Sequence, residues 1–376
     1  LAFVETKVIQ LDAGNVDTSA IKEAAKVIDA GGLVAFPTET VYGIGCRVSN
    51  ETLARLNHLK GRPADKYYTL HIANASDVLR YVPTMGLRAK KLIKNAWPGP
   101  LTIVFELDAR DIAQQRTKLP RDVFDNLYRD SSIGIRCPDN VIASMLLSQT
   151  TSPIVAPSAN LSGQSPAVEA KQVVEQFSGQ LDMVLDAGPC KYSKSSTVAK
   201  TSKTGIEVLR QGVYSESQLL EMAQVTVLFV CTGNSCRSPM AEGLFKKHLA
   251  EKLGCPIDRL VEKGYTVTSA GTLGIVGFPA SDEAVEACVA KGIDISGHRS
   301  RALTAHLIEQ SDFVFAMTRG HRDAVVGISP EAAKKCSLLD DGVDIPDPIG
   351  QSQVIYDNCA ERIDKAIIKI IDEMIL

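Results

Sequence analysis

Apolar positions change their spacing several times along the chain, and each change marks an element. Between residues 19 and 30, Ile21, Ala24, Ala25, Val27 and Ile28 recur at helical spacing until Gly31 and Gly32 stop them. Leu33, Val34, Ala35 and Phe36 are then continuously apolar, as a strand buried on both faces requires. A second run, Thr226-Val227-Leu228-Phe229-Val230, is β-branched and apolar enough for a buried parallel strand. Behind it Pro239-Met240-Ala241-Glu242-Gly243-Leu244-Phe245 starts a helix with Pro in its first turn. Between these halves Ser215 and Gln218 form a capping box, and Leu219, Leu220 and Met222 begin one short amphipathic turn. Strand followed by helix in both halves predicts an α/β chain.

At 376 residues the chain is long for one compact domain. The expected division is a domain over 1–213, a linker over 214–224 and a domain over 225–376. A hydrophobic content of 45% with 23% charged residues lets both halves bury a core. The nine cysteines show no Cys-x-x-Cys and no pairing with His at zinc-ligand spacing, so neither a disulfide framework nor a metal site is predicted, and reduced cytosol is the expected compartment. Apolar runs fall short of the roughly 20 residues that span a bilayer, and residues 1–30 lack a signal-peptide pattern, so no membrane association is expected. The chain begins at Leu1 rather than Met, which implies trimming upstream. A net charge of -3 gives no global attraction to nucleic acid, so an RNA contact would need a local basic face. Lys60, Arg62 and Lys66, then Arg88, Lys90, Lys91 and Lys94, are the candidates.

The second apolar strand runs into Cys231-Thr232-Gly233-Asn234-Ser235-Cys236-Arg237-Ser238, between strand and helix. Unpaired N–H groups at a helix N-terminus, together with the helix dipole, favour an anion there and favour thiolate over thiol at Cys231. Such sites lower a cysteine from about 8.5 into roughly 3.5 to 7.5. Arg237 would fork onto two phosphoryl oxygens, and Ser238 would donate to the leaving thiolate. The pattern predicts a phosphate trap with a nucleophile at its floor. Cys236 is a candidate for a reversible disulfide with Cys231, the alternative being a small residue packed in the loop.

These residues resemble the low-molecular-weight protein tyrosine phosphatase family, whose signature is Cys-x5-Arg-Ser between the first strand and first helix. Ser269-Ala270-Gly271-Thr272, Gly297-His298-Arg299-Ser300-Arg301, Phe315-Ala316-Met317 and Asp347-Pro348-Ile349-Gly350 follow in the family's order, over about residues 225–376. The resemblance implies a Rossmann-like parallel sheet that needs no cofactor. It makes Cys231, Arg237 and Asp347 the catalytic residues, with Asn234, Ser235, Ser238, Ser269 and His298 supporting the phosphate loop. Asp347 becomes the general acid that protonates the leaving group and later activates water against a cysteinyl-phosphate. Three departures bear on substrate. Ile349 and Gly350 replace the aromatic residues that flank this Asp-Pro in the eukaryotic enzymes, and Thr318 follows Met317 where those tend to place Asp. Ser235 stands where they carry a bulkier apolar residue, and in this it resembles the bacterial protein-arginine phosphatases. The implied substrate is a protein phosphorylated on tyrosine or arginine.

In the first half, the strand at 33–36 opens into Pro37-Thr38-Glu39-Thr40-Val41-Tyr42-Gly43-Ile44-Gly45. A Thr- and Gly-rich loop after a buried strand offers hydroxyls and close backbone approach to a small ligand. Lys60-Gly61-Arg62-Pro63, Trp97-Pro98-Gly99-Pro100-Leu101-Thr102, Gly134-Ile135-Arg136-Cys137-Pro138, Ala156-Pro157-Ser158-Ala159-Asn160-Leu161-Ser162-Gly163 and Ser195-Ser196-Thr197-Val198 follow. In kind and order these resemble the YrdC-like family, the threonylcarbamoyl-AMP synthases that begin threonylcarbamoyladenosine formation in tRNA, over about residues 8–213.

This second resemblance implies a twisted open α/β sheet and the condensation of L-threonine, bicarbonate and ATP with release of pyrophosphate. Magnesium would ride on the phosphates, and tRNA and tRNA-modification proteins would be partners. Several anions in one cleft require converging cations and hydroxyl or amide donors. By the resemblance Lys60, Arg62, Lys66, Asn160 and Arg210 contact ATP. Thr38 or Thr40, His71, Arg136 and Ser196 hold threonine, with Ser158 counted on the ATP side between the two. Tyr67-Tyr68 replaces the family's usual Pro-Leu, and Tyr192-Ser193-Lys194-Ser195 lacks its usual Gly. Together the two halves predict a bifunctional cytoplasmic enzyme. The alternative makes the first half a non-catalytic nucleotide- or RNA-binding module attached to an active phosphatase.

Overall fold

The computed structural model describes residues 5–63, 67–202 and 205–375. The chain divides between Ala223 and Gln224 into two compact units, each of the expected α/β class.

In the first unit the described strands are β1 (Lys7–Gln10), β2 (Val34–Phe36), β3 (Gly43–Arg47), β4 (Thr69–His71), β5 (Leu101–Glu106), β6 (Ser132–Arg136), β7 (Ile154–Val155), β8 (Met183–Asp186), β9 (Thr197–Thr201) and β10 (Ile206–Arg210). They form one sheet in the order β1-β8-β2-β3-β7-β4-β6-β5-β9-β10. The sheet is mixed: β4 runs parallel to β6 and β5 to β9, while β2/β3 and β5/β6 are antiparallel. Neighbouring residues of β2 feed different cores. Val34 and Phe36 join Ile21, Ile28, Ile142 and Leu146, whereas Leu33 and Ala35 join Tyr42, Leu56 and Phe177. A strand covered on both faces needs the unbroken apolar run seen at 33–36.

The helix predicted from residue 19 spans Thr18–Asp29, capped by the Asp17 carboxylate, which accepts from Ser19 N. Its buried residues Ala20, Ile21, Ala24, Ala25 and Ile28 form the stripe that covers one core. Helix Glu216–Met222 carries the Ser215/Gln218 capping box. Its Leu219, with Ala223 behind it, is buried in the larger core of the first unit. Asn95 Nδ2 also donates to Met222 O at 2.6 Å, so the chain stays bound to this unit up to the division.

In the second unit β11 (Val225–Cys231), β12 (Tyr265–Gly271), β13 (Phe313–Ala316) and β14 (Cys336–Leu338) form a parallel sheet in the order β12-β11-β13-β14. The chain leaves β11 toward β12 on one side and returns to β13 on the other. Such a switch opens a crevice beyond the carboxyl end of the central strand, where Cys231 sits. Helix Arg237–Leu253 follows, with Pro239 in its first turn as expected. Among the described residues no helix is long and apolar enough to cross a membrane.

Candidate active sites

A cavity of about 490 Å³ in the first unit is lined by seven of the eleven residues predicted for it: Thr38, Arg62, His71, Arg136, Ser158, Ser196 and Arg210. They come from seven separate elements and loops and meet where β4, β6 and β10 end and β9 begins, beside the 156–160 loop. The other four divide differently. Thr40, Lys60 and Asn160 are buried behind the lining, and Lys66 lies outside the described residues.

Arg136 ends β6 and is organised from behind. Its Nη2 donates to Glu39 Oε1 at 2.9 Å, Thr40 Oγ1 at 2.6 Å and Thr38 Oγ1 at 3.3 Å. Glu39 Oε2 accepts from Asp139 N at 3.1 Å, which joins the ends of two loops. Thr38 therefore reaches the cavity while Thr40, fully buried, supports Arg136. His71 Nδ1 is 3.0 Å from Thr69 O, and a carbonyl only accepts, so Nδ1 carries the proton and Nε2 is left as an acceptor. Burial first, and then the charge of Arg136, push His71 down to about 3, so the ring is neutral at pH 7.

Lys60 was expected to contact ATP. Its ammonium, 3% exposed, donates to Ser158 O and to Asn160 O at 2.6 Å and so shapes the loop. A cation 98 residues away in sequence thus gathers two carbonyls of one turn, of which Ser158 O also accepts from Asn160 N at 3.0 Å. Asn160 completes the turn: its Oδ1 accepts from Ser158 Oγ at 2.6 Å and its Nδ2 donates to Leu161 O and Gln164 O at 2.7 and 2.8 Å. Arg88, considered for a basic RNA face, is likewise only 5% exposed.

Arg210 Nη2 donates to Ser196 O at 2.8 Å and Ser196 Oγ at 3.2 Å, and Ser196 Oγ lies 3.2 Å from Thr102 Oγ1. Gly212 permits this approach, since a Cβ there would stand 2.3 Å from Ser195 O. Arg62 donates to the Tyr67 backbone carbonyl at 2.6 Å and lies 5.1 Å over the Tyr68 ring, so of the Tyr67-Tyr68 departure it is the Tyr68 ring that stands against a predicted cation. Glu39, Thr102, Asp130, Lys200 and Glu207 had not been singled out, yet Glu39 holds Arg136 and the others line the cavity. Glu39 had a signal, an acid between two threonines of a buried loop, and Thr102 closes the quoted segment that begins at Trp97.

In the second unit Cys231, 2% exposed, lies at the floor of its loop, with Ser238 Oγ 2.9 Å from its sulfur and Asn234 N donating to it at 3.3 Å. Burial pushes the Cys231 thiol up, against the pull of Ser238, Arg237 and Asn234 N. The net direction is opposite to the expected depression, because the same loop that supplies the donors also removes the sulfur from water.

Asn234 adopts a left-handed φ of 56° and is fully buried. Its Nδ2 donates to Ser238 Oγ and Ser269 Oγ at 2.9 and 2.8 Å, and its Oδ1 accepts from Arg301 N at 2.8 Å. His298 Nε2 donates to Asn234 O at 2.8 Å, and Ser269 Oγ donates to Glu242 Oε2 at 2.6 Å. Gly271 lets the loop close, since a Cβ there would lie 2.7 Å from Thr232 O. Arg237, 3% exposed, donates through Nη1 to Ile345 O at 2.9 Å and through Nη2 to Thr232 Oγ1 at 3.3 Å, and Nη2 is ion-paired with Asp347. Ser235 is half-buried at the loop's edge, and Ile349 beyond Asp347 is 63% exposed. Cys236 Sγ is 3.3 Å from Tyr356 OH and 3.5 Å from Ser281 Oγ.

These features define a two-unit α/β protein that joins a cation- and hydroxyl-lined cavity to a Cys-x5-Arg anion loop. The Sua5/YciO/YrdC family model, described as telomere recombination, matches residues 26–212, and the low molecular weight phosphotyrosine protein phosphatase model matches residues 226–375. The threonylcarbamoyl-AMP synthase of Vibrio vulnificus YJ016 is 32% identical over 197 residues, 52% of this chain and 99% of that protein. That of Pyrococcus abyssi is 32% identical over 232 residues, 61% of this chain and 65% of that protein, so the chain spans less than two thirds of this relative's length. A P. abyssi Sua5 structure in complex with L-threonine superposes with a TM-score of 0.51 at 22% identity, covering 96% of this chain and 97% of that one, a likeness of fold. The chain belongs to the Sua5/YciO/YrdC family and carries a low molecular weight phosphotyrosine protein phosphatase domain in its second unit.

Proposed function

We propose that the chain is a bifunctional enzyme, a threonylcarbamoyl-AMP synthase joined to a cysteine-dependent protein phosphatase. The observation that carries the first half is the convergence of Arg62, Arg136 and Arg210 with Thr38, His71, Ser158 and Ser196 on one cavity. In this reading a carbamate oxygen derived from L-threonine and bicarbonate attacks the α-phosphorus of ATP, and pyrophosphate leaves. Arg62 and Arg210 offset phosphate charge, aided by Ser158 on the turn that Lys60 and Asn160 hold. Arg136, Thr38, Ser196 and neutral His71 bind threonine, His71 as an acceptor. Positioning and charge neutralisation do the work, with no proton stored on the protein. Magnesium enters as part of the substrate, on the phosphates of ATP.

In the second unit the Cys231 thiol passes its proton to an oxygen of the bound phosphoryl group and attacks phosphorus as the thiolate, and the leaving oxygen or nitrogen takes its proton from Asp347. Water, deprotonated by Asp347, then releases phosphate from the cysteinyl-phosphate. Arg237 holds the equatorial oxygens, and Ser238 stabilises the sulfur as it leaves. The substrate is a protein phosphorylated on tyrosine or arginine, with Ser235 and exposed Ile349 favouring a choice that includes phosphoarginine. A thiol nucleophile suits the reducing cytoplasm. The product of the first unit is destined for tRNA and its modification proteins.

Pyrophosphate release from ATP that requires both threonine and bicarbonate tests the first half. Binding of ATP or RNA without that release would instead support a non-catalytic module. Turnover of phosphoarginine peptides at least equal to that of phosphotyrosine peptides is expected, and turnover of phosphotyrosine alone would sink the arginine preference.

A further inference from the structure

Beside the phosphatase loop a buried imidazole occupies a place that neither half of the reaction uses. His321 stands in the first turn of helix Arg319–Ile328, which Thr318 caps. It is 8% exposed, and both ring nitrogens are engaged: Nε2 lies 2.8 Å from Thr232 Oγ1, and Nδ1 lies 2.9 Å from Thr318 Oγ1. Thr232 follows Cys231 directly, and its Oγ1 also accepts from Arg237 Nη2 at 3.3 Å. A continuous chain therefore runs from Arg237 through Thr232 and His321 to Thr318. It is complete in either neutral tautomer of the ring, because each hydroxyl can donate or accept. Burial, and then the charge of Arg237, push His321 down to about 4, which keeps the ring neutral at pH 7.

The chain matters because of what else Arg237 Nη2 touches. It is ion-paired with Asp347, the carboxyl that must turn to the leaving group in the proposed reaction. When Asp347 does so, its hold on Nη2 is lost. Nη1 keeps Ile345 O, Nε has no hydrogen-bond partner among the described residues, and Nη2 keeps Thr232. A fork held at one nitrogen alone can swing, whereas a second fixed contact sets the plane in which it meets two phosphoryl oxygens.

We propose that His321 is a positioning residue of the phosphatase site, holding the Thr232 hydroxyl so that Arg237 stays oriented toward the phosphoryl group while Asp347 serves the leaving group. This rests on the phosphatase reading. His321 touches no reacting atom, and it acts through Thr232.

The test uses the full chain, para-nitrophenyl phosphate as substrate and inorganic phosphate as competitive inhibitor. An Asn amide reaches the place of Nδ1, and a Gln amide reaches that of Nε2. His321→Asn thus keeps the Thr318 contact and loses Thr232, while His321→Gln does the reverse. His321→Asn is expected to lower kcat/KM by about tenfold to a hundredfold and to weaken phosphate inhibition in parallel, whereas His321→Gln stays close to the native chain. Thr232→Val should reproduce His321→Asn, and the double variant should be no worse than either, since both break one chain. Equal loss in the Asn and Gln variants, or native phosphate inhibition in His321→Asn, overturns the proposal. If His321→Asn melts early, Thr232→Val decides alone, with native phosphate inhibition again overturning it. A native chain that hydrolyses nothing sinks the phosphatase reading and this inference with it, whereas an active native chain with unaffected variants sinks the inference alone.

Discussion

Arg136 and Glu39 form an ion pair at 2.9 Å with side chains only 7% and 1% exposed, at the back of the first unit's cavity. A pair so far from water is held by its mutual fit, and removing one partner strands the other.

Glu39→Ala should therefore cost the first unit about 3–5 kcal/mol, the usual penalty for an uncompensated buried charge. Glu39→Gln should cost less, because an amide oxygen still accepts from Asp139 N or Arg136. Denaturant unfolding followed through Trp97 reads this unit alone, since Trp97 is the chain's one tryptophan. A loss for Glu39→Ala below about 1 kcal/mol would contradict the stranded-charge account.

The neutral state of His71 has a consequence for pH. Its folded value, about 3, lies below the ordinary 6.5, so the unfolded chain binds the proton that the folded chain refuses. Stability from this group is present above about pH 6.5 and is lost as pH falls toward 3, at up to about 1.4 kcal/mol per pH unit. Between pH 6.5 and 5, where carboxylates have barely begun to titrate, the Trp97 unfolding midpoint should drop. His71→Gln should flatten that slope, and an unchanged slope would mean that His71 is not the group responsible.

Asn234 ties together Ser238, Ser269 and the backbone at Arg301 from a left-handed backbone. Asn234→Ala should cost the second unit at least about 2 kcal/mol, from unpaired buried groups and a φ that alanine tolerates poorly. Ser269→Ala removes fewer contacts and should cost about 1 kcal/mol. Circular dichroism melts of the two variants check the order, and equal losses would show that Asn234 is not the hub of the loop.

Cys231→Ser should abolish para-nitrophenyl phosphate hydrolysis and leave threonine-dependent pyrophosphate release intact, because Cys231 and the cavity residues belong to separate compact units. Loss of both activities in a folded variant would reveal coupling between them.

Much of this was readable along the chain. The apolar stripe of Ile21, Ala24, Ala25 and Ile28 and the continuous run at 33–36 announced a helix and a strand covered on both faces, and both are observed. Cys231 through Ser238 announced an anion loop at a helix start, and the loop stands between β11 and helix Arg237–Leu253. Periodicity and motif spacing act within a few residues, so they survive without knowledge of the fold.

Partner choice does not survive in that way. Lys60 reads as a ligand cation beside Arg62, yet it holds carbonyls about a hundred positions away, at Ser158 and Asn160. Arg136 reads as a residue that holds threonine, with nothing in the spacing to show that it is paired with Glu39, and the Cys231 thiol is pushed up by burial that no spacing reveals. His321 gave no signal at all, being 89 positions from Thr232. The sequence by itself determined the elements, the two α/β units and the residue types available to each site. Only the tertiary structure decided which charges are buried, which are paired and which face a substrate, because burial and hydrogen bonding depend on what the folded chain brings from a distance.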